Sequence, residues 1–184
     1  MKVAEIPFNM SIIIDSSFKE VPEDYDEMLK GINFLFEKID NESHEAKKAA
    51  LHSLVGKYLR VVNKLEESEQ QLGHAFEGFK AQGLKVPGVI AKFRLGLTYL
   101  YQEKYTRADD FLSKVLEICL RVNDEHLVKL CDHIYFTMGL SKMWQKNYTD
   151  ADRLFNECLE LRIVKGDIEL IELTKKVIMA NKPS

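Results

Sequence analysis

With 184 residues, of which 46% are hydrophobic and 30% charged, the chain has the composition of an ordinary globular protein. Its formal net charge of -3 gives no bulk attraction to nucleic acid or to anionic membranes, so neither is an expected partner. Four prolines and nine glycines are too few for a turn-rich all-β fold, and helix is the expected structure.

The first 21 residues form an apolar arm that differs from the rest of the chain. The arm is rich in β-branched and aromatic residues without helical spacing, which predicts an extended segment with at most a short strand. Glu5 and Pro7 interrupt it where a signal peptide would have its apolar run. Three widely spaced cysteines without a C-x-x-C pair indicate free thiols in a reducing compartment. We therefore expect a cytoplasmic protein.

From residue 22 onward the sequence predicts a series of helices. The first, over residues 22–39, starts with a proline and acidic residues in its first turn. Thr106 with Asp109, and Thr149 with Asp152, have the spacing of capping boxes. Short connections make consecutive helices antiparallel. The further helices are predicted at about 44–62, 66–82, 87–103, 106–122, 125–146, 149–165 and 167–181.

A helix-pair pattern recurs around Gly56, Gly96 and Gly139, at intervals of about 40 residues that are typical of stacked supersecondary units. In each copy a small residue and then a bulky one follow in the second helix, and we expect the glycine to face the small residue so that the two helices approach closely. The matching positions are Leu95, Tyr99, Tyr105, Ala108, Leu112 and Val115 in the clearest copy, Met138, Tyr148, Ala151 and Phe155 in the next, and Ser68 and Leu72 in the weakest.

This pattern resembles the tetratricopeptide repeat (TPR), in a longer-helix variant with repeats of about 40 residues instead of 34. The resemblance covers roughly residues 45–165 and implies an all-α fold. It implies a right-handed superhelical stack of three TPR-like helix pairs with an N-terminal helix and a C-terminal capping helix. We expect a single helical domain over 22–181 after the arm of residues 1–21. The predicted repeats span about 44–82, 87–122 and 125–165, and the cap spans 167–181.

In a TPR the first helix of each pair lines a concave groove, and the resemblance implies which residues line it here. Helix 87–103 is apolar nearly all round, as buried helices are, so something must cover its inner side. The cover is a partner's helix or peptide, the chain's own arm of residues 3–18, or a second copy. The implied groove residues are Ile90, Phe93, Leu97, Leu100, Tyr101, His133, Phe136, Leu140, Met143 and Trp144, with Lys57 and Arg60 beside them.

Members of the family that bind the acidic tails of chaperones hold the terminal carboxylate with lysines and asparagines of this groove. Of the matching positions here, Lys57 alone has that character, while Phe93 and Phe136 stand at two of the others. The resemblance therefore does not extend to recognition of such a tail.

No sequence pattern points to catalysis, a metal or a cofactor. The histidines form no H-E-x-x-H motif and do not pair with cysteine at zinc-finger spacing. Cys131 and His133, on either side of Asp132, are the nearest approach to a ligand cluster, but residues i and i+2 point to different sides of a helix. Gly73 and Gly78 lack the lysine and the strand of a P-loop. We predict no catalytic residue, no metal and no cofactor.

The sequence thus predicts a non-catalytic protein- or peptide-binding TPR module with an apolar groove, which the N-terminal arm would autoinhibit by lying in it. One alternative is a structural homodimer whose groove is consumed by self-association. Another is a dedicated chaperone or immunity partner of one protein. In each case the partner is a protein or peptide, and neither nucleic acid nor a membrane.

Overall fold

The computed structural model describes residues 3–122 and 124–182, and these residues confirm an all-α protein. Each predicted helix is present to within a few residues, except that the one predicted over 125–146 is two helices. A 3-10 turn at Val3–Glu5 and two short strands, β1 at Ile12–Ile14 and β2 at Glu20–Pro22, precede them. The helices are α1 Tyr25–Asp40, α2 Glu45–Val61, α3 Leu65–Ala81, α4 Lys85–Tyr101, α5 Tyr105–Arg121, α6 Glu125–Val128, α7 Cys131–Trp144, α8 Tyr148–Lys165 and α9 Ile168–Ala180.

The chain divides into two compact units, residues 1–102 and 103–184. The first unit holds the arm and α1 to α4, and the second holds α5 to α9. The boundary falls between α4 and α5, inside the second predicted repeat. In the part of the chain that the structure describes, no helix combines the length and the apolar character needed to cross a bilayer.

The N-terminal arm forms a hairpin that is built onto the first unit. β1 pairs antiparallel with β2, with Ile13 opposite Val21. Ile6 and Met10 are buried in a core that α1 and α2 complete. Met10 lies so close to Gly31 of α1 that a Cβ there would clash with its sulfur. The start of the arm is therefore part of the hydrophobic core of this unit.

Helix α1 begins later than the sequence predicts. Its N-cap is Asp24, whose carboxylate accepts a hydrogen bond of 2.9 Å from the backbone N–H of Glu27. Pro22 is the last residue of β2, so the expected helix start at residue 22 is wrong. The proline ends the hairpin, and the aspartate two residues on supplies the cap that starts the helix.

The two predicted capping boxes are also absent. Helices α5 and α8 begin at their tyrosines, so Thr106 and Thr149 already lie inside the first turn. The N-cap of α5 is Lys104, which makes no side-chain capping bond. The N-cap of α8 is Asn147, whose side chain accepts from the backbone N–H of Asp150 at 3.3 Å. The threonine-to-aspartate spacing therefore does not mark the start of either helix.

Helix pairs in both units come together at a glycine, and a bulky side chain fills the space. A Cβ on Gly56 of α2 would lie 2.6 Å from Cγ of Leu72 on α3. A Cβ on Gly139 of α7 would lie 2.5 Å from the ring of Phe155 on α8. The expected small residue also takes part in the first pair, where the Ser68 hydroxyl donates to the Gly56 carbonyl at 2.7 Å. The glycines thus admit the bulky residue of the pattern, at the same chain spacing in both pairs.

Within each unit, consecutive helices pack side by side. In the first unit α2 contacts α1, α3 and α4, and α3 also contacts α4. In the second unit α7 contacts α5 and α8, and α8 contacts α9. The last helix, α9, exposes two large apolar side chains, since Ile168 is 75% exposed and Met179 is 71% exposed.

Candidate binding surface

Glu20 of the arm is held by one residue of α2 and one of α4, all in the first unit. The Arg60 Nη2 donates to Glu20 Oε2 at 2.6 Å. The backbone N–H of Glu20 donates to the Tyr101 hydroxyl at 2.6 Å. The Arg60 guanidinium also lies 4.8 Å from the centre of the Tyr101 ring, within the range of a cation–π contact. The side chain and the main chain of Glu20 are therefore both bound.

Two further cations stand beside this pair. Arg94 of α4 donates from Nη1 to the Ser53 carbonyl at 3.1 Å and to its hydroxyl at 2.8 Å. Burial lowers the pKa of Arg94 and of Lys57, and the neighbouring guanidinium of Arg60 lowers both further, while the Glu20 carboxylate raises both. We call Lys57, Arg60, Arg94 and Tyr101 the α2/α4 face.

Arg60 keeps hydrogen-bonding capacity that Glu20 does not use. Its side chain is 2% exposed, and its Nε and Nη1 are buried without a hydrogen-bond partner among the residues described. Buried donors without partners are uncommon and costly, more so on a charged group. The guanidinium can therefore bind acceptor atoms beyond the single carboxylate oxygen that it now contacts.

The predicted groove residues of the first unit fall into two sets. Ile90, Phe93 and Leu97 on α4 are half-buried, so part of each side chain is open to a partner. Leu100 is fully buried and Tyr101 is 8% exposed, so both pack inside the unit. Of the two predicted cations, Lys57 is half-buried and Arg60 is buried.

The predicted groove residues of the second unit all lie on α7. His133 is exposed, Phe136, Met143 and Trp144 are half-buried, and Leu140 is 3% exposed. This helix therefore also presents a mixture of open and packed side chains.

Phe136 is tied into the packing of the second unit. Its ring centre lies 5.7 Å from that of Phe155 and 4.5 Å from the Arg162 guanidinium. A substitution at Phe136 would therefore disturb the core as well as any surface.

The second unit contains a buried ion-pair network centred on Asp132. Arg162 Nε donates to Asp132 Oδ2 at 2.9 Å, and the Lys165 ammonium pairs with the other carboxylate oxygen. Arg162 also donates from Nη1 to the Thr174 hydroxyl at 2.7 Å, which joins α7, α8 and α9. Burial raises the pKa of Asp132, but the hydrogen bonds from Lys165 and Arg162 outweigh it and hold that pKa below its usual value. This network is satisfied from within the unit.

The three cysteines, Cys119, Cys131 and Cys158, are free and buried, as the sequence predicts for packed thiols. Over residues 3–122 and 124–182, no group of three or more histidine, cysteine, aspartate or glutamate side chains is placed to hold a metal ion.

Sequence reasoning missed Glu20 and Arg94. Arg94 had a usable signal, because a guanidinium in the middle of an otherwise apolar helix needs polar partners. Glu20 had none, since its pairing with Arg60, 40 residues away, depends on where the hairpin lies against α2.

Comparison of the chain with protein-family models and with curated proteins finds no match. The described part of the chain forms two units of packed helices, and the first unit carries a hairpin bound at a cationic face.

Proposed function

We propose that this chain is a non-catalytic protein- or peptide-binding module, built as a right-handed stack of three TPR-like helix pairs. Support comes from the matching glycine contacts of the α2/α3 and α7/α8 pairs. Further support comes from α4, which contacts both helices of the preceding pair as neighbouring repeats do. Such arrays expose long surfaces and commonly bind other proteins. The buried free thiols suit a cytoplasmic location.

The observation that carries the binding role is that α4 has partly exposed apolar side chains beside the cations of the α2/α4 face. Leu97 lies three residues after Arg94 and four before Tyr101, so it shares their side of the helix, and Phe93 lies one turn earlier. Apolar anchors beside charged groups suit an amphipathic peptide, because the anchors supply affinity and the charges fix its orientation. In this proposal the hairpin at the face is autoinhibitory.

A pull-down from lysate of the source organism tests the proposal. We expect a protein that the wild type captures to be lost with the double variant Phe93→Ala/Leu97→Ala and retained with Leu120→Ala. Leu120 is a matched control because it is 62% exposed on α5. Circular dichroism establishes that the variants are folded. Equal capture by all three proteins would contradict the proposal.

A structural homodimer is the second candidate, and the exposed apolar residues near the end of α8 favour it. Ile163 is 55% exposed, Val164 is 86% exposed and Ile168, at the start of α9, is 75% exposed. Light scattering separates the two candidates. A tight dimer that Val164→Lys/Ile168→Lys converts to a monomer would support the structural role, and a wild-type monomer would exclude it.

A further inference from the structure

We propose that the α2/α4 face is a receptor for an extended acidic segment of a partner protein, and that Glu20 of the chain's own hairpin occupies the place of the partner's glutamate. This inference rests on the proposed function and specifies the chemistry of its ligand.

The contacts of Glu20 define what the face recognises. Arg60 binds the side-chain carboxylate and Tyr101 accepts the N–H of the same residue, each at 2.6 Å. Together these contacts select a glutamate within an extended segment. The backbone N–H of that glutamate must be free to donate to the Tyr101 hydroxyl while its carboxylate accepts from Arg60. A free phosphate carries no N–H donor, so it can satisfy only the arginine.

The charges at the face favour a ligand with more acceptor capacity than Glu20 provides. The Arg60 guanidinium lies close enough to Lys57 and Arg94 to lower the pKa of both. The Nε and Nη1 of Arg60 are buried and unpartnered among the residues described. A carboxylate that engages two guanidinium nitrogens binds more strongly than one that engages a single nitrogen. A segment with suitably placed acidic residues can therefore compete with the hairpin.

The hairpin is suited to exchange with such a segment. Its strands have three residues each, and isolated two-stranded hairpins are marginally stable. The Glu20 side chain is still 33% exposed, so solvent reaches the ion pair. Ile6 and Met10, by contrast, are buried in the core. Ile12, the first residue of β1, packs partly against that core, so the part of the hairpin after Ile12 can lift from the face while the start of the arm stays in place.

Fluorescence anisotropy with a defined peptide tests this inference on the full-length chain. The probe is a labelled peptide with the sequence of residues 9–24, acetylated and amidated so that it has no terminal charges. We expect it to bind the Glu20→Gln variant about tenfold more tightly than wild type, because the internal competitor is weakened. The same peptide with glutamine in place of its Glu20 should bind that variant at least about tenfold more weakly.

Two lysine or arginine variants in the Glu20→Gln background show whether the face is specific. Arg94→Gln should weaken binding of the peptide, whereas Lys85→Gln should leave it within about twofold, since Lys85 is exposed at the start of α4. Circular dichroism verifies folding, and Lys57→Gln replaces Arg94→Gln if the latter unfolds.

Three results would overturn the inference: equal affinity of wild type and Glu20→Gln, equal affinity of the two peptides, or equal loss with Lys85→Gln and Arg94→Gln. None of these three results would contradict the proposed function. A partner captured from lysate and lost with Phe93→Ala/Leu97→Ala would still support the binding module, with a ligand of different chemistry.

Discussion

Gly56 and Gly139 are residues at which one methyl group would change the separation of two helices. Their closest neighbours are Leu72 and Phe155, which are themselves fully buried and cannot move aside cheaply. Gly73 of α3 is the opposite case, because a Cβ there would meet nothing within 4 Å. Substitution by alanine should therefore lower the free energy of unfolding at Gly56 and Gly139 and raise it at Gly73.

We expect Gly56→Ala and Gly139→Ala each to lower the free energy of unfolding by about 1–3 kcal/mol, because overpacking forces the helices apart. Gly73→Ala should raise it by about 0.5–1 kcal/mol, because alanine is the better helix former. Urea denaturation measures all three. A loss at Gly73 as large as that at Gly56 would contradict the close-contact explanation.

The charge of Asp132 is the second residue-scale feature with a measurable consequence. Asp132→Asn should cost about 3–5 kcal/mol near pH 7, because it leaves Arg162 buried with a weakened partner. The wild-type contribution is fully present above the ordinary aspartate pKa of about 3.8 and is lost as the pH falls through the lower pKa of the folded state. The stability difference between wild type and variant should therefore shrink below about pH 4. A difference independent of pH would show that the carboxylate is not the stabilising group.

At the scale of elements, the helices were predictable to within a few residues, whereas the residues that cap them were not. Apolar periodicity located α1 to α5 and α8 to α9 because each has a packed stripe. The break between α6 and α7 was not predicted, because the turn at Lys129 and Leu130 contains no glycine or proline. The threonines at positions 106 and 149 lie inside the first turn, and the side chain that caps α8 belongs to Asn147.

Alanine substitutions distinguish the caps seen in the structure from the capping box that the sequence predicts at Thr106. Asp24→Ala and Asn147→Ala should each cost about 1 kcal/mol, since their side chains accept backbone hydrogen bonds at the helix start. Thr106→Ala should stay within about 0.5 kcal/mol of wild type, because Thr106 is exposed inside the first turn. Thermal unfolding of the three variants under one condition provides the comparison. A loss of stability with Thr106→Ala as large as that with Asp24→Ala would support the predicted capping box.

For the molecule as a whole, the sequence was informative about two close helix pairs and uninformative about the arm. The glycine pattern predicted close helix pairs, and these occur in both units. The cations Lys57 and Arg60 were also recognised from the sequence. The hairpin, the burial of Met10 and the pairing of Glu20 with Arg60 depend on tertiary contacts between distant segments, for which no local pattern exists.

Hydrogen exchange of the full-length chain, with and without the purified protein that it captures, tests the central claim most directly. If the α2/α4 face binds that partner in place of the hairpin, exchange should slow in α2 and α4 and accelerate by about tenfold or more over residues 12–22. Slowed exchange confined to other helices, with residues 12–22 unchanged, would contradict the account.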